Sequence, residues 1–459
     1  MSVSDTSTIF DINKYNTVLN NTDPIKFTSY VTKVSGLTFE TDGLSTVLGE
    51  ICKVILNNGK VLLAEVIGLE KHKITLISYD EMHGIEVGDL VIASGEQFSV
   101  YVGDHLLGRV LDGIGRDYDG KGQIGSSIIY PAFNIPSDAI KRMEITDQIV
   151  TGIKAIDGLI SIGKGQRIGI FSGSGVGKST LLGMIARNID ADINVIAMIG
   201  ERGRELKEFI NYNLGEKGLK KSVIVFASSN KPAINRVRSA YVAFTIAEYF
   251  RDKGKDVALM IDSITRFAWA QREVGLASGE PPTTRGFTPS VFTLLPKLLE
   301  RAGTGEKGSI TGFFNVLVEG DDLDEPISDT VRGILDGHIV LSRQLAEMNH
   351  YPAIDVLASI SRLMIKITSS EHQNKANFIK ELLASYKSHE DLISIGAYAS
   401  GSNPKVDLAV LLKEKIDLFL KQEINEKYSL SETLEELDGI YSGFFSKEEE
   451  PEKEDLLFQ

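Results

Sequence analysis

The chain has 459 residues and a formal net charge of −14, from 49 basic and 63 acidic residues. This length predicts two or three domains, and the acidic balance argues against a surface that coats nucleic acid. One cysteine excludes an internal disulfide and is typical of a reducing compartment. The polar first 16 residues lack a signal-peptide pattern, and no apolar stretch approaches the roughly 20 residues of a membrane helix. We therefore expect a cytoplasmic protein without a membrane span.

The first part of the chain predicts a small β-barrel. Residues 1–23 are rich in Ser, Thr, Asn and Asp, and we interpret them as a flexible N-terminal arm. From 24 to 95, short apolar runs alternate with turn signals such as Asn58-Gly59. Regularly spaced short strands of this kind favour a barrel. Cys52 lies in the apolar run ICKVIL, where burial as a small hydrophobic residue is the expected role.

The middle of the chain, 96–375, predicts an α/β nucleotide-binding domain. Runs apolar on both faces and separated by helical segments indicate a parallel sheet covered on both sides. These runs are GQRIGIF, INVIAMIG, SVIVFASS, DVALMID, GSITGFFNVLV and GHIVLS. From 376 the strand signal ends, and amphipathic segments predict a helical C-terminal domain at 376–446. An acidic tail follows at 447–459.

The segment SGSGVGKS at 172–179 lies between the first of these strands and a predicted helix at 180–187. Residues without a Cβ let backbone N–H groups turn toward an anion, and a helix N-terminus favours phosphate. Lys178 would reach the β- and γ-phosphates of a nucleotide, and the Ser179 hydroxyl would bind Mg²⁺. Ser172 takes the place of the usual first glycine of this phosphate-binding loop (P-loop), but Gly173 and Gly175 keep the loop thin.

Three further positions have residue types that hydrolysis of a nucleotide needs. Asp262 ends DVALMID, where a carboxylate at the tip of a buried strand can hold magnesium. Glu201 follows a strand and could orient the attacking water, with Arg202 beside it. Arg362 follows an apolar strand and could act as an arginine finger from another subunit. From the residues alone, Glu201 and Arg202 could equally be a solvated helix start, and Arg362 a salt-bridged surface arginine.

Together these segments resemble the type III protein-export ATPases, relatives of the rotary ATP synthase α and β subunits. The resemblance covers about residues 25 to 445. It rests on motifs that occur in the family's order: SGSGVGKST, GERGRE, LMIDSITRFAWAQRE, GEPPTTRGFTPSVF, LLERAG, EGDD, ILDGHIVLSR and HYPAIDVLASISR.

The resemblance implies an N-terminal β-barrel, a RecA-like P-loop ATPase core and a helical C-terminal domain. It implies a homohexamer with ATP and Mg²⁺ at the subunit interfaces. Lys178, Glu201, Arg202 and Arg362 resemble the catalytic residues, and Ser179 and Asp262 the metal ligands. The residues that resemble the nucleotide-binding set are Gly173, Ser174, Gly175, Val176, Gly177, Lys178, Ser179, Thr180 and Tyr351, the last of which would pack on the adenine ring.

The resemblance implies that the chain hydrolyses ATP and thereby energises type III protein export, with the flagellar export apparatus as the first candidate. Expected partners are other copies of the chain, a central stalk protein, the export gate, chaperone–substrate complexes and a regulatory stator protein at the N-terminal arm. This would place the protein peripherally at the membrane export apparatus.

Several alternatives stay open at this point. The chain could belong to an injectisome, which delivers virulence proteins, or be a ring subunit that mainly docks chaperone–substrate complexes. A synthase subunit is disfavoured because IGAYASGSNPKVDLAV stands where synthases have an acidic segment, and a non-catalytic subunit would lack Glu201. A hexameric RNA translocase is disfavoured because the barrel region has few aromatic residues and no lysine cluster.

Overall fold

The computed structural model describes residues 16, 26–125, 128–135, 139–318, 320 and 322–448, with side chains as far as 442. The chain divides between Phe98 and Ser99 into two compact units. The predicted N-terminal arm at 1–23 and the acidic tail at 447–459 lie almost wholly outside the described residues. The domain boundaries expected from the sequence stay predictions, and the predicted nucleotide-binding and helical domains fall in one compact unit.

The first unit is a closed β-barrel, as the sequence predicted. Its strands are β1 (Thr28–Ser35), β2 (Thr38–Asp42), β3 (Glu50–Ile55), β4 (Val61–Leu69), β5 (Lys73–Ser78) and β6 (Leu90–Gln97). They pair in the order β1-β2-β5-β4-β3-β6, and the ring closes between β6 and β1. Cys52 points into the barrel core, where burial raises the pKa of its thiol to about 12. The thiol is therefore held protonated and acts as a small apolar side chain.

The second unit is built on a nine-stranded sheet. Its strands are β8 (Val110–Asp112), β12 (Arg167–Ser172), β13 (Ile193–Glu201), β14 (Ser222–Ser228), β15 (Asp256–Asp262), β16 (Gly303–Thr304), β17 (Ser309–Leu317), β18 (Gly337–Leu341) and β19 (Ile354–Ser361). The order is β19-β18-β12-β17-β15-β13-β14-β8, with β16 paired to β17. Two short pairs complete the strands: β7 (Ser99–Tyr101) with β9 (Ile129–Pro131), and β10 (Gln148–Ile149) with β11 (Ile162–Gly163).

All six apolar runs identified in the sequence form strands of this sheet, and they run parallel. Strand β13 is buried along its whole length, as a sheet covered on both sides requires. The edge strand β19, however, runs antiparallel to β18. Because of this reversal β19 begins at the carboxyl edge of the sheet and ends at the opposite edge, which determines where Arg362 lies.

Thirteen α-helices are described. They are α1 (Lys154–Leu159), α2 (Lys178–Asn188), α3 (Gly203–Glu208), α4 (Gly215–Lys220), α5 (Ala233–Asp252), α6 (Ile264–Ala277), α7 (Pro289–Leu299), α8 (Pro326–Ile334), α9 (Arg343–Glu347), α10 (Met364–Ile367), α11 (Ser370–Ser394), α12 (Pro404–Leu420) and α13 (Leu430–Glu448). None of the helices in the described part of the chain combines the length and the apolar character needed to cross a membrane.

The C-terminal helices start at capping residues that the sequence contains. The Ser369 hydroxyl accepts a hydrogen bond from the backbone N–H of His372 at the start of α11. The Asn403 side chain accepts one from Lys405 N–H at the start of α12, where Pro404 occupies the first helical position. These bonds satisfy N–H groups that have no partner within the helix. The amphipathic segments predicted after residue 376 do form helices, which are α11, α12 and α13.

Helix α1 joins the helical region to the sheet domain. A Cβ added at Gly158 would stand 2.9 Å from Phe419 Cζ, so glycine allows α12 to approach closely. The His372 ring lies 2.7 Å from the Gly158 carbonyl oxygen, and Lys154 Nζ pairs with Glu436 at 2.9 Å. The helical region therefore packs on the element that precedes the P-loop strand.

Candidate active site

The P-loop has the local structure that its glycines predict. It leaves β12 at Ser172 and enters α2 at Lys178. Gly175 and Gly177 have φ angles of 81° and 94°, a region that disfavours side chains with a Cβ. No side chain caps the N-terminus of α2, so its first N–H groups are available to an anion.

Within the loop, each predicted residue offers a different group. Gly175 and Ser174 are exposed, and the Val176 side chain is buried, so Val176 can offer only its backbone to a nucleotide. Ser179 is exposed and Thr180 half-buried in the first turn of α2. The Ser174 carbonyl oxygen accepts a hydrogen bond of 3.4 Å from Arg343 Nη1. The loop and the first turn of α2 therefore offer backbone N–H groups and exposed hydroxyl-bearing residues, and an arginine contacts the loop from α9.

Lys178 and Asp262 meet at the carboxyl edge of the sheet. Lys178 Nζ lies 2.5 Å from Asp262 Oδ1, and both side chains are almost buried. Strand β12 leads into the P-loop and β15 ends at Asp262, and β17 lies between these two strands. A buried pair of this kind places a cation and a carboxylate where phosphate and Mg²⁺ would bind in a P-loop site.

Glu201 ends β13, beside β15, and its carboxylate is buried. Arg266 Nε donates a hydrogen bond of 3.1 Å to Glu201 Oε1. Burial raises the pKa of Glu201 to about 7, and a hydrogen bond with Glu205 and the charge of Asp262 act in the same direction. A carboxyl group with a pKa near neutrality can both hold and accept a proton, as a general base must.

Gly200 permits the contact between Glu201 and Arg266. Its φ is 69°, and a Cβ added there would stand 2.8 Å from Arg266 Cδ. Any larger residue would displace the arginine that orients Glu201. Arg202 lies at the exposed start of α3, and its backbone N–H donates to Glu205 Oε2 at 3.3 Å. The Arg202 side chain is exposed, and its catalytic role stays a prediction.

The ring of Tyr351 lies against the P-loop. A Cβ added at Gly177 would stand 3.6 Å from Tyr351 Cε1. The Tyr351 carbonyl oxygen accepts a hydrogen bond of 3.0 Å from the backbone N–H of Gln422, which follows α12. The residue is 42% exposed. Its contact with the adenine ring stays a prediction.

Replacing Tyr351 by alanine should weaken nucleotide binding by about tenfold, because stacking of an aromatic ring on a base contributes roughly 1–3 kcal/mol. A titration with a fluorescent ATP analogue measures this. Tyr351→Phe, which keeps the ring, should bind like the unaltered chain. Tyr212→Ala, at a tyrosine that is 76% exposed, is the matched control. Equal affinity in Tyr351→Ala would contradict the stacking role.

The residues present fit a magnesium ion that is shared with phosphate. Asp262 offers a carboxylate and Ser179 an exposed hydroxyl, and both are the hard oxygen ligands that Mg²⁺ prefers. Among the described residues no cluster of three or more His, Cys, Asp or Glu could hold a metal by itself. Two protein ligands are enough for Mg²⁺ at a nucleotide site, because the ion completes its coordination with water and the substrate phosphates.

Arg362 lies at the other edge of the sheet. Its backbone N–H donates to the Asp336 carbonyl oxygen, and Asp336 N–H donates in turn to Arg167 at the start of β12. The P-loop begins at the far end of β12, roughly 15 Å away at about 3.3 Å per strand residue. The structure therefore brings Lys178, Asp262 and Glu201 together and does not bring Arg362 to them within one chain.

Sequence reasoning missed two arginines that act on the site. Arg266 in α6 holds Glu201, and Arg343 at the start of α9 holds the P-loop. Both occur in the quoted motifs ITRFAWAQRE and IVLSR, but an arginine in a helix gives no signal of its partner. Two further polar residues of α6 contact the start of α7 instead of the site. Gln271 Nε2 donates a hydrogen bond to Ser290 Oγ, and the Arg272 guanidinium lies over the Phe287 ring.

The raised pKa of Glu201 predicts a pH dependence. If its carboxylate accepts the proton of water, kcat/KM should fall about tenfold per pH unit below pH 7 and level off above it. Glu205→Ala removes a hydrogen bond that raises this pKa and should move the inflection to lower pH. ATP hydrolysis measured from pH 5.5 to 8.5 at saturating Mg²⁺ tests both expectations. A flat profile would exclude Glu201 as the titrating base.

The fold and the site define a class of protein: a P-loop ATPase with a RecA-like core, an N-terminal β-barrel and a C-terminal helical region. Three family models match in the same order. They are the ATP synthase alpha/beta family β-barrel domain at 31–95, the nucleotide-binding domain of the same family at 152–361 and the T3SS EscN ATPase C-terminal domain at 368–439.

Known proteins resemble the chain over nearly its whole length. The flagellum-specific ATP synthase of Treponema pallidum (strain Nichols) is 52% identical over 428 residues, which are 93% of this chain and 96% of the relative. The assembled ATPase EscN of the enteropathogenic E. coli type III secretion system is 45% identical, with a TM-score of 0.86, covering 90% of this chain and 99% of EscN. The structure of EscN in complex with its central stalk EscO is 44% identical in sequence, with a TM-score of 0.84, at the same coverage. The chain belongs to the ATP synthase alpha/beta family, in its branch of type III protein-export ATPases.

Proposed function

We propose that the chain is a Mg²⁺-dependent ATPase that converts ATP and water to ADP and phosphate at the interfaces of a homohexamer and thereby energises flagellar type III protein export. One observation carries the interface proposal. The P-loop with Lys178, Asp262 and Glu201 lies at one edge of the sheet, and Arg362 at the other. Two copies of the chain placed in sequence around a ring could supply both halves of one site.

In the proposed mechanism the phosphates bind the backbone of 173–179, and Lys178 leaves Asp262 to contact the β- and γ-phosphates. Ser179 and Asp262 would hold Mg²⁺, which supplies charge neutralisation on the phosphate oxygens. Glu201, oriented by Arg266, positions the attacking water and accepts its proton.

The two catalytic arginines have different places in this mechanism. Arg362 of the next subunit stabilises charge on the transferred phosphoryl group, and Arg202 adds charge at the rim of the site. Because Arg362 comes from a neighbour, hydrolysis depends on assembly of the ring.

Relative identity leans toward the flagellar branch over the injectisome by a small margin. The flagellum-specific relatives are 47–52% identical to the chain, and the type 3 secretion system ATPases found in the same way are 44–48% identical. The injectisome stays the second candidate, since both branches share the quoted motifs. The identity of the neighbouring genes discriminates between the two.

The proposed partners extend those of the similar proteins. EscN is assembled and binds a central stalk, and we propose the same two interactions for this chain. We further propose contacts with the export gate and with chaperone–substrate complexes, and binding of a stator protein by the N-terminal arm. These would hold the ATPase on the cytoplasmic face of the membrane export apparatus.

In the alternative function, the ring mainly docks chaperone–substrate complexes, and its ATP turnover is secondary. Cells that carry Glu201→Gln test this alternative, because the change removes hydrolysis and leaves the surface intact. Normal export in those cells would favour a docking module over an ATP-driven motor.

Nucleotide-linked assembly is the direct test of the proposed function. The mass of the purified chain, measured in solution with a non-hydrolysable ATP analogue and Mg²⁺, should rise toward six times its 50.2 kDa. Lys178→Ala should stay small under the same conditions because the analogue binds poorly. A chain that neither hydrolyses ATP nor assembles with or without nucleotide would overturn the proposal.

A further inference from the structure

Asn315 is a buried polar residue without a hydrogen-bond partner. It belongs to β17 and is 0% exposed. Neither polar atom of its side-chain amide, Nδ2 or Oδ1, makes a hydrogen bond in the described structure. An amide buried in this way is costly, because it gives up its bonds to water and gains none in return. Such a group indicates a partner that becomes available in another arrangement of the neighbouring side chains.

The register of the sheet places Asn315 beside Asp262. Strand β17 pairs with the P-loop strand β12 on one side and with β15 on the other. Asn315 stands opposite Ile170 of β12. Phe313 stands opposite Met260 of β15, and Asn315 and Asp262 each follow that pair by two residues. Residues two apart in a strand share a face, and neighbouring strands lie about 4.8 Å apart. The amide and the Asp262 carboxylate are therefore neighbours on one face of the sheet.

The Asp262 carboxylate is already paired with a different residue. Lys178 Nζ lies 2.5 Å from Asp262 Oδ1. The neighbours of Asn315 in register on β12 and along β17, Ile170 and Phe313, are apolar members of the core. The hydroxyl of Ser172, at the base of the P-loop, is likewise buried without a hydrogen bond in the described structure. While Lys178 stays on Asp262, polar groups beneath the P-loop therefore lack partners.

We propose that Asn315 is a positioning residue for the nucleotide site: when Lys178 leaves Asp262 for the phosphates, Asn315 Nδ2 donates a hydrogen bond to the freed carboxylate. This inference rests on the proposed function, to which the movement of Lys178 belongs. The amide replaces the ammonium group as a donor but carries no charge. Asp262 thus keeps its orientation and its full negative charge for Mg²⁺, as carboxylate ligands held by a second hydrogen bond do. The exchange also supplies the partner that the buried amide lacks, which favours release of the lysine.

Thermal unfolding of the full chain without nucleotide tests the bond itself. In the unaltered chain Lys178 holds Asp262, so Asn315→Leu, which has the same branching without polar atoms, should not lower the melting temperature Tm. In Lys178→Ala the carboxylate is free and Asn315 donates to it. Adding Asn315→Leu to that variant should lower Tm by about 2 °C. Asn315→Ala, which adds no volume to the core, should also lower Tm more in Lys178→Ala than in the unaltered chain.

Thr311→Val is the matched control. Thr311 is buried on the same face of β17, four residues before Asn315, and its hydroxyl accepts a hydrogen bond of 2.9 Å from the Gly165 N–H. Loss of this bond should lower Tm equally with and without Lys178→Ala, because the bond does not involve Asp262.

Binding of a fluorescent ATP analogue with Mg²⁺ gives the second readout. Asn315→Leu should bind the analogue about tenfold more weakly, since it loses a hydrogen bond to a charged group, and Thr311→Val should bind it normally. The proposal is overturned if Asn315→Leu has the same effect on Tm in both backgrounds or leaves the affinity for the analogue unchanged. If the unaltered chain bound no analogue, the proposed ATPase function would fail instead, and the melting temperatures would still decide whether Asn315 bonds to Asp262.

Discussion

Glu201→Gln should lower kcat for ATP hydrolysis by about 10²–10⁴-fold, the usual contribution of a positioned general base. Glutamine nearly keeps the size of the side chain, and its amide oxygen can still accept the hydrogen bond from Arg266. It cannot accept the proton of the attacking water. Release of phosphate under steady-state conditions measures the loss.

A measurement of nucleotide binding separates the loss of catalysis in Glu201→Gln from misfolding. The affinity for a fluorescent ATP analogue should change little in Glu201→Gln, because the P-loop contacts are intact. Glu208→Gln, an exposed glutamate in the same segment, is the matched control and should hydrolyse ATP normally. Full activity in Glu201→Gln would exclude the residue as the base and leave its raised pKa as a consequence of burial alone.

Arg362→Ala should reduce turnover by about 10³–10⁵-fold, as loss of an arginine finger does in other nucleotide hydrolases. Binding of the analogue should be nearly unchanged, since the P-loop of the same chain is roughly 15 Å away along β12. Lys366→Ala is the control. It lies four residues further on, and its ion pair with Glu144 is exposed and worth little.

Mixed rings test donation between subunits. Arg362→Ala chains contain an intact Glu201, and Glu201→Gln chains an intact Arg362. In a one-to-one mixture about a quarter of the interfaces regain both groups if assembly is random and the arginine acts on its neighbour. Activity should therefore reappear on mixing two inactive preparations. A mixture as inactive as its components would argue that Arg362 does not act across the interface.

Local sequence patterns predicted much of the architecture, because backbone conformation and the burial of apolar runs depend mainly on neighbouring residues. Glycines at 173–177 between a buried strand and a helix predict a phosphate loop, and 172–179 has that structure. Apolar runs predicted the parallel strands, and turn signals predicted the barrel. The residues alone left the roles of Glu201, Arg202 and Arg362 open, and the resemblance favoured the catalytic interpretation. These roles stay predictions until the variants are measured.

What only the tertiary structure decided is which distant residues meet. The pairing of Lys178 with Asp262 joins positions 84 residues apart across a strand that neither belongs to. The hydrogen bond of Arg266 to Glu201 and the reversal of β19 that carries Arg362 to the far edge arise in the same way. The spacing of apolar residues and the residue types that favour turns are each encoded over a few positions. Strand order and side-chain partners, in contrast, depend on the free energy of the whole packed unit. The sequence by itself therefore determined the phosphate loop and the succession of elements, and packing determined the site that they form.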